Sequence, residues 1–185
     1  MIYVDFDGTI VDVWKRYYQI FVTLTNSACL GFHEYVRAKR KMKHDGQIAK
    51  HFSLQLPENY FTEKRRLLEL PQYLSLDRLL LAREELLAFF DNYCCKILTL
   101  RRSLGAFQQE MHLLGLTALL EKSIVLNPDS GMRKLDFISN QTALQSAFLV
   151  GDSQAEAEVA QLSRVRVALV KTGLFEVEEL KYADQ

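Results

Sequence analysis

Residues 2–10 read Ile2-Tyr-Val-Asp-Phe-Asp-Gly-Thr-Ile10, and residues 148–156 read Phe148-Leu-Val-Gly-Asp-Ser-Gln-Ala-Glu156. Each is a short apolar run that ends in an acidic turn. Runs of this length, rich in β-branched and aromatic side chains, predict buried strands, here Ile2–Phe6 and Ala147–Val150. Open α/β sheets gather their ligands outside the carboxyl ends of the strands. Asp5, Asp7 and Asp152 all fall at such ends.

Working outward, Lys96–Leu100, Ser123–Leu126 and Val165–Val170 read as three more strands, and segments of helical period separate the last four. Leu104, Phe107, Met111 and Leu114 recur on one helical face, with Gly115 as a C-terminal stop. Ser153 is placed to N-cap a helix carrying Ala155, Val159, Ala160 and Leu162. Strands alternating with helices predict a parallel sheet covered on both faces, the α/β class.

Residues 12–90 break this pattern and show no convincing strand. Val13, Tyr17, Ile20, Phe21 and Leu24 mark one helical face, and Ser75 opens a second helix carrying Leu76, Leu79, Leu80, Leu86, Leu87 and Phe90. The expected organisation is therefore a catalytic core of residues 1–11 and 91–185, interrupted by a helical cap of residues 12–90. The cap holds 13 basic and 9 acidic residues, the core 10 and 14, so the two parts carry +4 and −4.

The whole chain is neutral, with 23 basic and 23 acidic residues, which argues against a nucleic-acid partner. No apolar run approaches the roughly 20 residues of a membrane span, and the N-terminus lacks the pattern of a secretory leader. Three cysteines without framework spacing read as reduced thiols. The expectation is a cytoplasmic protein.

The chemistry follows from the acidic turns. A carboxylate at a strand end can attack phosphorus and form an acyl phosphate, and a second one nearby can protonate the leaving group and later activate water. Gly8 allows a tight turn and close approach of the backbone to an anion. Asp152 lies beside Asp5 if their strands are neighbours, and paired oxygen ligands suit Mg²⁺. Glu156 has two readings: Ser153-Gln-Ala-Glu156 fits a capping box, and the same acid can hold a metal-bound water. Thr99, ending the second strand, can hydrogen-bond a phosphate oxygen, and Lys134 can neutralise transferring phosphoryl charge.

In order, Asp-x-Asp-Gly-Thr at 5–9, the strand ending at Thr99, Lys134, and Gly-Asp at 151–152 followed by Glu156 resemble the four motifs of the haloacid dehalogenase superfamily. The insertion after the first motif is similar to the helical cap of its phosphatase branch. The resemblance implies a Rossmann-like core of strand order 5-4-1-2-3. Asp5 would be the nucleophile and Asp7 the general acid and base. Mg²⁺ would be held by Asp5, Asp152 and the backbone carbonyl of Asp7. Thr99, Lys134 and the Gly8 turn would bind the phosphate. The sequence departs from the pattern where it has Asp12-Val13 after the first motif, Lys134-Leu in the third and Glu156 in the fourth, and Lys122 competes for the lysine role.

Asp7 favours phosphoryl transfer, because members that cleave carbon–halogen bonds lack an acid at this place. The expected activity is Mg²⁺-dependent hydrolysis of a small phosphorylated metabolite. A sugar phosphomutase and a catalytically silent phospho-ligand or protein-binding module are the alternatives. The second rests on the basic run Arg37-Ala-Lys-Arg-Lys-Met-Lys-His44, whose plainest reading is a solvated helix face.

Overall fold

The computed structural model of the chain describes residues 1–27, 29–140, 147–162 and 165–173. The chain forms two compact units, residues 1–12 with those from 78 onward, and Val13–Asp77.

The first unit is built on a five-stranded sheet: β1 (Ile2–Val4), β2 (Cys95–Leu100), β3 (Ser123–Leu126), β4 (Phe148–Gly151) and β5 (Arg166–Leu169). Every pairing is parallel, and the order across the sheet is β5-β4-β1-β2-β3. A parallel sheet buried on both faces explains why its strands read as continuous apolar runs. Tyr3, Leu98, Leu126 and Leu149 come from four adjacent strands and form one buried group with Ile138, Val159 and Val165. Each such leucine or valine contributes about 1.5–3 kcal/mol by leaving water.

Register places the chemistry. Val4 pairs with Ile97 on one side and Val150 on the other. The carboxyl ends of β1 and β4 therefore lie side by side, with Asp5 and Asp152 just beyond them.

Two expectations are corrected. Residues 12–90 are not without strands: Val11–Asp12 pairs antiparallel with Arg78–Leu79, and Leu80 N–H donates to Ile10 O at 2.9 Å. Nor does one helix run from Ser75 to Phe90. Pro71–Leu74 is a short helix, and the next begins at Arg83 and ends at Asn92. A brief leucine run satisfies strand and helix periodicity alike, and the backbone pairing to Val11–Asp12 decides it. Residues 78–90, read with the helical segment, thus lie in the unit that holds the sheet.

The second unit is helical among its described residues: Trp14–Thr25, Phe32–Met42, Asp45–His51, Tyr60–Leu67 and Pro71–Leu74. Phe21, Leu30, Tyr35, Ala38, Ile48, Ala49 and Tyr60 form its core. Arg16 and Asp77 are both buried, and their side chains approach to 3.2 Å. Asp45 is buried between Lys39 Nζ at 2.6 Å, the Tyr60 hydroxyl at 2.8 Å, and Lys64. The basic run 37–44 is accordingly not one solvated face. Lys39 is buried in that network, Arg40 lies over the Trp14 ring at 5.4 Å, and Arg37 and Lys41 are exposed.

Candidate active site

Asp5 continues the β1 ladder by one step, its N–H donating to Val150 O at 2.8 Å. The chain then turns sharply. Phe6 O accepts from Thr9, Ile10 and Val11 N–H at 3.3, 2.9 and 3.0 Å, and Gly8 N–H donates to Val11 O at 2.8 Å. Gly8 sits at φ +79°, and a Cβ there would run into the Asp152 carboxylate. Glycine is required on both counts, conformation and space. The Thr172 hydroxyl donates to Gly8 O at 2.5 Å and ties the turn to the segment after β5.

Lys134 opens the Lys134–Ser139 helix and is buried. Its Nζ lies 2.5 Å from Asp5 Oδ1 and 2.7 Å from Glu156 Oε1. Asp5 Oδ1 also accepts from Phe6 N–H at 2.8 Å. Lys122, the competing lysine, is held elsewhere by the Phe90 carbonyl and Asp91.

Glu156 is fully buried in the Gln154–Leu162 helix. Its Oε2 accepts from Ser153 N–H at 3.0 Å and from the Ser153 hydroxyl at 2.5 Å, while Oε1 takes Lys134. One side chain thus caps the helix and pairs with the site lysine. Gly151 makes room for it, since a Cβ at 151 would strike the Glu156 side chain.

Asp5, Asp152 and Glu156 each present a carboxylate oxygen within 4.8 Å of the others, and all three residues are buried. Burial pushes the Asp5 carboxyl well above its ordinary range; Lys134 opposes this, and Glu156 and Asp152 reinforce it. Burial works against the charge on Lys134 as well, but Asp5 and Glu156 outweigh it and hold its pKa above the usual lysine value. Three converging acids with one lysine between two of them leave excess negative charge. An all-oxygen donor set carrying such charge fits a hard divalent cation such as Mg²⁺.

The other sequence candidates lie around this centre. Thr99 is buried in β2, two residues beyond the Ile97 that pairs with Val4. Asp7 is partly exposed, and its Oδ1 lies 2.8 Å from Arg101 Nη2 rather than among the three converging acids. Arg101 also pairs with the fully buried Glu110, and neither residue stands out in the sequence motifs. The signal for Glu110 was present, because it is a charged residue three positions after Phe107, on the helical face that Phe107 and Met111 bury.

No protein-family model matches the sequence, and no curated protein is similar to it. Solved structures do match the fold. A "predicted phosphatase" from Clostridium acetobutylicum superposes with a TM-score of 0.68 at 15% identity, over 99% of this chain and 89% of that one. A haloacid dehalogenase-like family hydrolase from Streptococcus pneumoniae gives 0.68 at 16% identity, over 97% and 88%. The HAD-type hydrolase YfnB from Bacillus subtilis, bound to magnesium, gives 0.58 at 14% identity, over 97% and 94%. The chain has the haloacid dehalogenase-like fold.

Proposed function

We propose that the chain is a phosphatase that hydrolyses a small phosphomonoester through an aspartyl-phosphate on Asp5. The observation that carries this reading is the convergence of Asp5, Asp152, Glu156 and Lys134 at the carboxyl ends of β1 and β4. The fold shared with phosphatase and hydrolase structures supports it.

Asp5 attacks phosphorus along the bond to the leaving oxygen, and Asp7 gives that oxygen its proton. In the second half Asp7 takes a proton from water, whose oxygen attacks phosphorus and restores the Asp5 carboxylate. Lys134 holds Asp5 in place and balances charge on the transferring group. Thr99 and the Gly8 turn bind the phosphoryl oxygens. Asp5, Asp152 and the Asp7 carbonyl would hold Mg²⁺, with Glu156 acting behind them through Lys134 and the Ser153 turn. The ion, when bound, supplies positive charge against the phosphoryl group and the converging carboxylates. Among its described residues the helical unit Val13–Asp77 carries no acidic turn after a strand, and we assign it substrate selection rather than chemistry.

Among the described residues no helix is long and apolar enough to cross a membrane. Three free cysteines suit a reducing compartment, and we place the chain in the cytoplasm.

Turnover of 4-nitrophenyl phosphate with Mg²⁺, followed by a panel of sugar, organic-acid and nucleotide monoesters, tests the reading. Release of inorganic phosphate from one member of the panel supports it. A panel that is bound but never hydrolysed would favour a silent ligand-binding module.

A further inference from the structure

Arg101 is the first residue after β2, and its backbone N–H donates to Leu126 O at 2.9 Å, which fixes the direction in which the side chain leaves the sheet. Its Nη2 donates to Asp7 Oδ1 at 2.8 Å and to Glu110 Oε2 at 2.7 Å, and the guanidinium lies over the Phe6 ring at 5.7 Å. Glu110 is fully buried and Arg101 nearly so, whereas the Asp7 side chain remains 23% exposed. Glu110 stands on the Leu104–Leu113 helix, whose start is fixed by the Ser103 side chain accepting from Ala106 N–H at 3.0 Å.

Packing alone does not account for this arrangement. A buried ion pair is commonly no more stabilising than apolar residues of the same volume, and Glu110 occupies a face that Phe107 and Met111 otherwise fill. What the pair provides is a guanidinium fork with its direction fixed before any ligand arrives. One nitrogen of that fork, Nη2, joins the buried Glu110 to Asp7, the group at the rim.

We propose that Arg101, fastened by Glu110, is a positioning residue that holds the Asp7 carboxyl group where it serves the leaving-group oxygen of an ester attacked by Asp5. The proposal rests on the phosphatase reading above. In the step concerned, the Asp5–phosphorus bond forms and the bond from phosphorus to the leaving oxygen breaks. The proton moves from Asp7 to that oxygen, giving an alcohol and an Asp7 carboxylate. Arg101 itself neither gains nor loses a proton.

A mispositioned acid harms esters in proportion to their need for it. The test compares the initial burst of phenol from phenyl phosphate with that of dinitrophenol from 2,4-dinitrophenyl phosphate, whose leaving group departs without a proton. Arg101→Met is expected to slow the phenyl phosphate burst about 10²-fold, the lower range for a general acid, and to change the dinitrophenyl burst by less than about threefold. Glu110→Gln, which keeps shape and loses only the fastening charge, is expected to show the same contrast in weaker form. It also carries the test if Arg101→Met fails to fold. Equal slowing of both esters, or a raised KM at unchanged kcat, would overturn the positioning role and leave Arg101 as structural or substrate-binding. Absence of turnover in the wild-type chain would instead overturn the phosphatase reading, and the role of Arg101 with it.

Discussion

Lys134 Nζ bridges Asp5 and Glu156, 2.5 Å from the first and 2.7 Å from the second, with all three side chains buried. The lysine comes from one helix and Glu156 from another, while Asp5 follows the central strand. Three separate pieces of the first unit are therefore locked by one cation. Removing that cation leaves two buried carboxylates facing each other. Lys134→Met is expected to lower stability by about 3–5 kcal/mol, the cost of breaking a buried pair, and kcat by roughly 10²–10³-fold. Denaturant titration beside steady-state kinetics checks both. A variant with wild-type stability would show that the bridge does not hold the site together.

Metal dependence follows from the same excess of negative charge. A chelator is expected to abolish phosphate release, and Mg²⁺ to restore it. A second readout needs no turnover: Mg²⁺ at 100 times its Kd should stabilise the folded chain by about 2.7 kcal/mol. Asp152→Asn should shrink that gain, because Asp152 supplies one of the converging carboxylates. An equal gain in wild type and variant would place the ion elsewhere.

Acid stability is governed in part by the helical unit. Asp45 lies between Lys39 and Lys64 and accepts from Tyr60. Burial alone would raise its pKa, but the two lysines outweigh that and hold it at about 2, against an ordinary 3.8. The folded-state value is the lower one. Its contribution, about 2 kcal/mol, is therefore complete above pH 4 and lost as pH falls from about 4 to 2. Asp45→Asn is expected to destabilise the chain at neutral pH and to remove that part of the acid-induced loss. Parallel pH curves for wild type and variant between 4 and 2 would contradict the assignment.

The sheet and the placement of much of the candidate site are legible in the sequence because both depend on local patterns. Asp5, Asp152 and Thr99 lie at or just beyond the ends of apolar runs, and the period of those runs specifies strands without knowledge of their partners. Arg78–Leu79 is different: it is a strand only because Val11–Asp12, some 67 residues earlier, pairs with it. Lys39 read as one member of a solvated charge run because its partner Asp45 lies across a turn from it. Arg101 stood one place past a strand, where charge is usually solvated, and its meaning depends on Glu110 and Asp7 reaching it through the fold. For Glu156, the spacing fits both a helix cap and a metal shell. The structure shows it capping through Oε2 and reaching Lys134 through Oε1, a division of labour that spacing alone does not reveal.

Everything proposed for the site turns on Asp5 carrying the phosphoryl group. Acid quenching during turnover of 4-nitrophenyl phosphate, followed by peptide mass spectrometry, measures it directly. One phosphoryl group is expected on the peptide containing Asp5. That adduct should accumulate in Asp7→Asn, where water is poorly activated, and be absent in Asp5→Asn, whose turnover should fall at least ~10³-fold. A phosphoryl group on another peptide, or Asp5→Asn turning over at the wild-type rate, would contradict it.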